Sequence, residues 1–127
     1  MKRFIYIATL LVFATGAVTA ADFTVAQVLA HPDRFNGKRI SVTGYYVAGN
    51  EESCLYPSAE ARDHGQITQS IWVEFRGTSE LGPVTHHYAR FVGTFHHRHL
   101  KRPIDGYGQW GLSPSALLDV TSFRRVR

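Results

Sequence analysis

Ten residues, Lys38-Arg39-Ile40-Ser41-Val42-Thr43-Gly44-Tyr45-Tyr46-Val47, leave this chain few folds to choose from. Side chains on a strand alternate between two faces, so a two-residue period marks a half-buried strand. Ile40, Val42 and Tyr46 share one face with Gly44 between them, while Arg39, Ser41, Thr43, Tyr45 and Val47 share the other. A glycine inside a strand marks a bend, a bulge or a close backbone approach. A long strand bent at glycine can serve two sheets at once, which is how a small barrel closes. The expectation is an all-β fold built on this strand.

Other elements follow in both directions. Phe23 to His31 reads as a short helix capped by Thr24, with Val25, Val28 and Leu29 on one face, and Pro32 ends it. Phe35 is placed under the start of the long strand, after which Asn36-Gly37 makes a turn. Cys54-Leu55-Tyr56 returns as a short strand, and Ser58 caps a helical turn ended by His64-Gly65. Ser70 to Phe75 is the third strand, with Ile71, Val73 and Phe75 facing opposite to Trp72 and Glu74. Gly77 to Pro83 is loop. Tyr88 to Phe95 is the fourth strand, with Ala89, Phe91, Gly93 and Phe95 inside. A long loop runs from Arg98 to Ser115, and Ala116 to Phe123 is the last strand, followed by a basic tail of Arg124, Arg125 and Arg127. Five strands with one short helix before the first and another between the second and third fit a small closed β-barrel. A sandwich of this size would need about seven.

The first residues carry a different signal. Lys2 and Arg3 precede an apolar run from Phe4 to Ala14, and Val18-Thr19-Ala20 supplies small residues at its first and third positions. This is the pattern of a cleaved export signal over residues 1–20, leaving a single domain over 21–127 with no membrane span. Losing Lys2 and Arg3 takes the basic count from 14 to 12 against 10 acids, so the formal charge falls from +4 to +2. That is too small to argue for a polyanionic partner. Cys54 is the single cysteine, so no internal disulfide staples the domain and the apolar core must hold it. Its place beside Leu55 and Tyr56 predicts a buried thiol.

Asp33-Arg34-Phe35-Asn36-Gly37-Lys38-Arg39-Ile40-Ser41-Val42-Thr43-Gly44-Tyr45 resembles the opening of small secreted bacterial OB-fold proteins, a largely uncharacterised group. Their opening runs Pro-x-x-aromatic-x-Gly-Lys-x-hydrophobic-x-Val-x-Gly. Leu55-Tyr56-Pro57-Ser58, Ile71-Trp72-Val73 and Val92-Gly93-Thr94-Phe95 are similar to the same group. The resemblance implies a five-stranded OB barrel, periplasmic or secreted, with no catalytic residues. The stretch from Arg98 is longer here than the turn many of those proteins carry before the last strand.

Candidate chemistry divides into three classes. A binding module for an envelope protein or a glycan would use the aromatic and basic residues Trp72, Tyr107, Trp110, Arg98, Lys101 and Arg102, because OB barrels stack rings of their ligands on one face and its flanking loops. The competing structural reading has Trp72 covering the barrel's outer face beneath a helix or loop. Nucleic acid is disfavoured by export. A metal-binding protein would use His96, His97 and His99, since His97 and His99 have the strand spacing that puts both rings on one side. His87 lies nine residues before His96 on one strand, roughly 30 Å away, and is too far to join them. A hydrolase would need Cys54 with His64, or Glu51 with Glu52, but no motif surrounds either pair. The expectation is a non-enzymatic binding protein without cofactor, with histidine-dependent metal binding as the alternative.

Overall fold

The computed structural model describes residues 21–49, 51–77 and 85–126. The stretch expected to be an export signal, most of the Gly77–Pro83 loop and Arg127 lie outside the described residues. Six strands form one sheet: β1 (Asp22–Thr24), β2 (Arg39–Ala48), β3 (Ser53–Tyr56), β4 (Ile71–Phe75), β5 (His87–His97) and β6 (Ser115–Arg125). Their order is β1-β2-β3-β4-β6-β5, and β2 pairs again with β5, so five strands close on themselves. β4 and β6 run parallel, while the other closing pairs are antiparallel. The fold is an OB-like barrel with short helices. Among the described residues no helix is long and apolar enough to cross a membrane.

The face assignments on β2 hold. Ile40, Val42 and Tyr46 are buried in the main core with Phe91, Phe95, Leu55, Ile71 and Leu117. Val47 faces outward, into a second cluster with Cys54 and Tyr56. Gly44 is where the strand is crossed most closely, because a Cβ there would lie 2.5 Å from Val25 Cγ2 and 2.7 Å from the Tyr56 carbonyl oxygen. Val25 and Val28 of helix α1 (Val25–Ala30) are the residues that fill this end of the barrel. α1 starts on a capping box: the Gln27 N–H donates to Thr24 Oγ1 at 3.2 Å, and the Thr24 N–H donates to Gln27 Oε1 at 2.9 Å.

Three elements differ from the sequence expectation. Phe23 leaves the helix and pairs in β1, parallel to β2, opposite Val42. Pro32 starts a second helix, α2 (Pro32–Phe35), instead of only ending the first. At the first helical position its missing N–H costs nothing and its fixed φ suits the helix. Arg124 and Arg125 belong to β6, paired with Arg90 and Ala89, rather than to a tail. Elsewhere the expected helical turn is present as α3 (Ala59–Asp63), with the Ala61 N–H donating to Ser58 Oγ at 3.1 Å. A 3-10 turn at Ile67–Gln69 then leads into β4.

β6 serves both β4 and β5 by bending. Its pairing with β5 slips between Val92 and Thr94, at Gly93, and its own Asp119 has φ 53°. A Cβ at Gly93 would lie 2.7 Å from the Leu118 carbonyl oxygen, so the bulge requires glycine there.

Candidate functional site

The outer face of β3 and β4 carries the side chains that alternate away from the core. Cys54 stands opposite Trp72 in the β3–β4 pairing, and Tyr45 stands opposite Tyr56 in the β2–β3 pairing. Two loops flank this face: the β2–β3 loop, with Glu51 and Glu52, and the β5–β6 loop, with Trp110. Between them, beside α3, opens a cleft of about 790 Å³.

The cleft floor is a hydrogen-bonded chain. The Tyr56 hydroxyl donates to Glu52 Oε1 at 2.8 Å, and Arg62 Nη2 donates to Glu52 Oε2 at 3.4 Å. Burial, and then the bond to Glu52, push the Tyr56 phenol well above its ordinary range, so it stays a donor. Glu51, Asp63 and Trp110 complete the walls. The Trp110 side is a rim, with the residue 58 % exposed.

The β5–β6 loop is built, not slack. Tyr107 and Ser113 exchange backbone hydrogen bonds of 2.6 and 3.2 Å, and Ser113 Oγ donates to the Ser70 carbonyl at 3.1 Å. Gly108, at φ 90°, presses on Trp72: a Cβ there would lie 2.8 Å from the indole Cε3. Of the six aromatic and basic residues expected to bind ligand, only Trp110 lines the cleft, while Trp72 and Tyr107 join it in a small crevice next to the cleft that shares Glu51 and Ile67. Trp72 is half-buried under Gly108 and donates its indole N–H to Glu74 at 3.2 Å, which makes it the loop's support. Arg98 lies 4.2 Å over the Tyr107 ring. Arg102 holds Asp105 through two bonds of 3.2 and 2.9 Å, and Lys101 is exposed. The cleft residues Tyr56, Arg62 and Asp63 were not singled out from the sequence. The available signal was Tyr56, which alternates with inward-facing Leu55 and so had to face out.

The histidines separate. His97 and His99 come together, with ring centroids 5.1 Å apart. His96 is outside their cluster, and Asp33 of α2 takes the third place. Burial, with the charge of neighbouring His99, holds the His97 imidazole below its ordinary value.

Cys54 is fully buried between Val47, Tyr56 and Trp72. Burial pushes its thiol up, away from the reactive thiolate. A disulfide reagent at pH 8 is expected to label the folded chain only at the rate of unfolding and to label one thiol per chain at once in denaturant. Fast stoichiometric labelling of the native chain would contradict the burial.

Comparisons with protein-family models, with curated proteins and with solved structures return no match to this chain.

Proposed function

We propose that this chain is a glycan-binding module of the bacterial envelope that catalyses no reaction. The observation that carries the reading is the position of the cleft. It lies on the outer face of β3, between the β2–β3 and β5–β6 loops. OB barrels take oligosaccharides and oligonucleotides on that face and between those loops. The lining decides between the two ligands. Glu51, Glu52 and Asp63 outnumber Arg62, which repels a phosphate backbone and suits the hydroxyl and amide groups of a neutral sugar. Trp110 offers an exposed indole for a sugar ring to stack on, and the Tyr56–Glu52–Arg62 chain offers fixed polar groups beneath it. An export signal in residues 1–20 would deliver the domain to such ligands.

Calorimetric titration with a neutral N-acetylglucosamine oligosaccharide, peptidoglycan fragments and an acidic polysaccharide tests the reading. Saturable binding of a neutral glycan is expected, with Trp110→Ala weakening it about tenfold, or roughly 1.4 kcal/mol. Arg62→Ala should weaken it as well, because it frees Glu52 to swing out of the floor. Stronger binding of the acidic polymer, or equal affinity in Trp110→Ala, would sink the proposal.

A further inference from the structure

We propose that Asp33, His97 and His99 form a site for a divalent transition-metal ion where α2 meets the root of the β5–β6 loop. Asp33 comes from α2, His97 is the last residue of β5, and His99 follows two residues later on the same side. One candidate ligand atom from each lies within 4.8 Å of the others. His99 Nε2 and Asp33 Oδ1 are already 3.0 Å apart, across 66 positions of sequence. Ligand atoms around a tetrahedral Zn²⁺ with bonds of about 2.1 Å stand roughly 3.4 Å from one another. The side chains of His99 and Asp33 are 78 and 71 % exposed, so they are free to make the small rotations that close the set.

The third ligand is the fixed one. Ser115 is fully buried, and its Oγ lies 2.9 Å from His97 Nδ1, which leaves Nε2 of that ring to face a metal. Holding one imidazole nitrogen with a hydrogen bond is how proteins orient a metal-binding histidine. The His97 N–H also donates to Asn36 Oδ1 at 3.0 Å, tying the end of β5 to the turn after α2. The site therefore has one half-buried, hydrogen-bonded anchor and two exposed arms.

Two imidazoles and one carboxylate select the class of ion. Ca²⁺ and Mg²⁺ favour all-oxygen sets and Cu⁺ favours sulfur, whereas divalent ions such as Zn²⁺, Co²⁺, Ni²⁺ and Cu²⁺ accept imidazole with carboxylate. Three protein ligands leave at least one position for water or an incoming group. A bound ion would also clamp α2 to the root of the β5–β6 loop, whose far end carries Trp110.

The test uses the full chain stripped with a chelator, then titrated with Zn²⁺ by calorimetry and with Co²⁺ by visible absorption. One ion per chain is expected, with the intense visible bands of low-coordinate Co²⁺ and a rise in the thermal midpoint as Zn²⁺ is added. His99→Ala and Asp33→Asn should each weaken Zn²⁺ at least tenfold, and Ser115→Ala by about tenfold. His96→Ala should leave the affinity unchanged. Both His99 and Asp33 are exposed, so these variants keep the fold, which the unfolding curve without metal verifies. A flat titration would show His99 and Asp33 to be an ordinary hydrogen-bonded surface pair and overturn the site. Equal loss in His96→Ala and His99→Ala would overturn the ligand set.

Discussion

Phe91→Ala is expected to lower the free energy of unfolding by about 3–5 kcal/mol, a large share of what a small domain possesses. Phe91 is fully buried in the barrel. Its ring centroid lies 4.8 Å from that of Tyr46, 5.7 Å from Phe75 and 6.1 Å from Phe123. These neighbours come from β2, β4 and β6, so one ring joins three strands besides its own. Truncation removes the apolar burial and leaves a hole that strands locked in a closed barrel cannot collapse to fill. With no disulfide elsewhere, nothing covalent offsets the loss. Denaturant unfolding of the wild type and the variant measures it. A loss below about 1 kcal/mol would mean that the core is not organised around this ring.

Gly44→Val should cost about 3 kcal/mol or more, at the upper end of overpacking effects. The added Cβ meets Val25 Cγ2 at 2.5 Å and the Tyr56 carbonyl oxygen at 2.7 Å. Val25 could yield only by lifting α1 off the barrel end. The Tyr56 carbonyl could yield only by pulling β3 away from β2, where Tyr56 is paired with Tyr45. Either response breaks something, and the second also displaces the phenol that floors the cleft. Gly44→Val should therefore weaken glycan binding even in the fraction that remains folded, whereas Phe91→Ala should not, because Phe91 sits in the barrel core and does not line the cleft. Unfolding curves and binding measured below the transition separate the two effects. A Gly44→Val chain of wild-type stability would refute the close approach.

Much of the barrel could be read from alternation alone. β2 and β5 are long enough to show their period, so Ile40, Val42, Tyr46, Ala89, Phe91 and Phe95 were legible as core. Phe35 and the Ser58 cap were legible from local chemistry. β1 was not, because the three residues Asp22, Phe23 and Thr24 are too few to carry a period, and their pairing with Ser41–Thr43 depends on a chain reversal. α2 was hidden by Pro32, which ends one helix and begins another with equal ease. The site was harder for a related reason. Trp110 and Trp72 both stood out as rings a ligand could stack on, and for Trp72 the competing reading, a ring covered by a loop, is the one that holds, since Gly108 lies against it. Exposure depends on what the fold lays over a residue, and one chain's residue types do not record that. Asp33 was invisible as a partner of His99 because nothing local links positions 66 apart.

A titration of the ¹⁵N-labelled chain with a neutral N-acetylglucosamine oligosaccharide locates the ligand site residue by residue. The two tryptophans give two indole N–H signals. The Trp110 indole signal and the backbone amides of Glu51, Glu52 and Arg62 are expected to shift together and saturate, while the Trp72 indole, bonded to Glu74, stays nearly still. Shifts centred on the Arg90 and Arg124 face of β5 and β6, or none at millimolar glycan, would contradict the account.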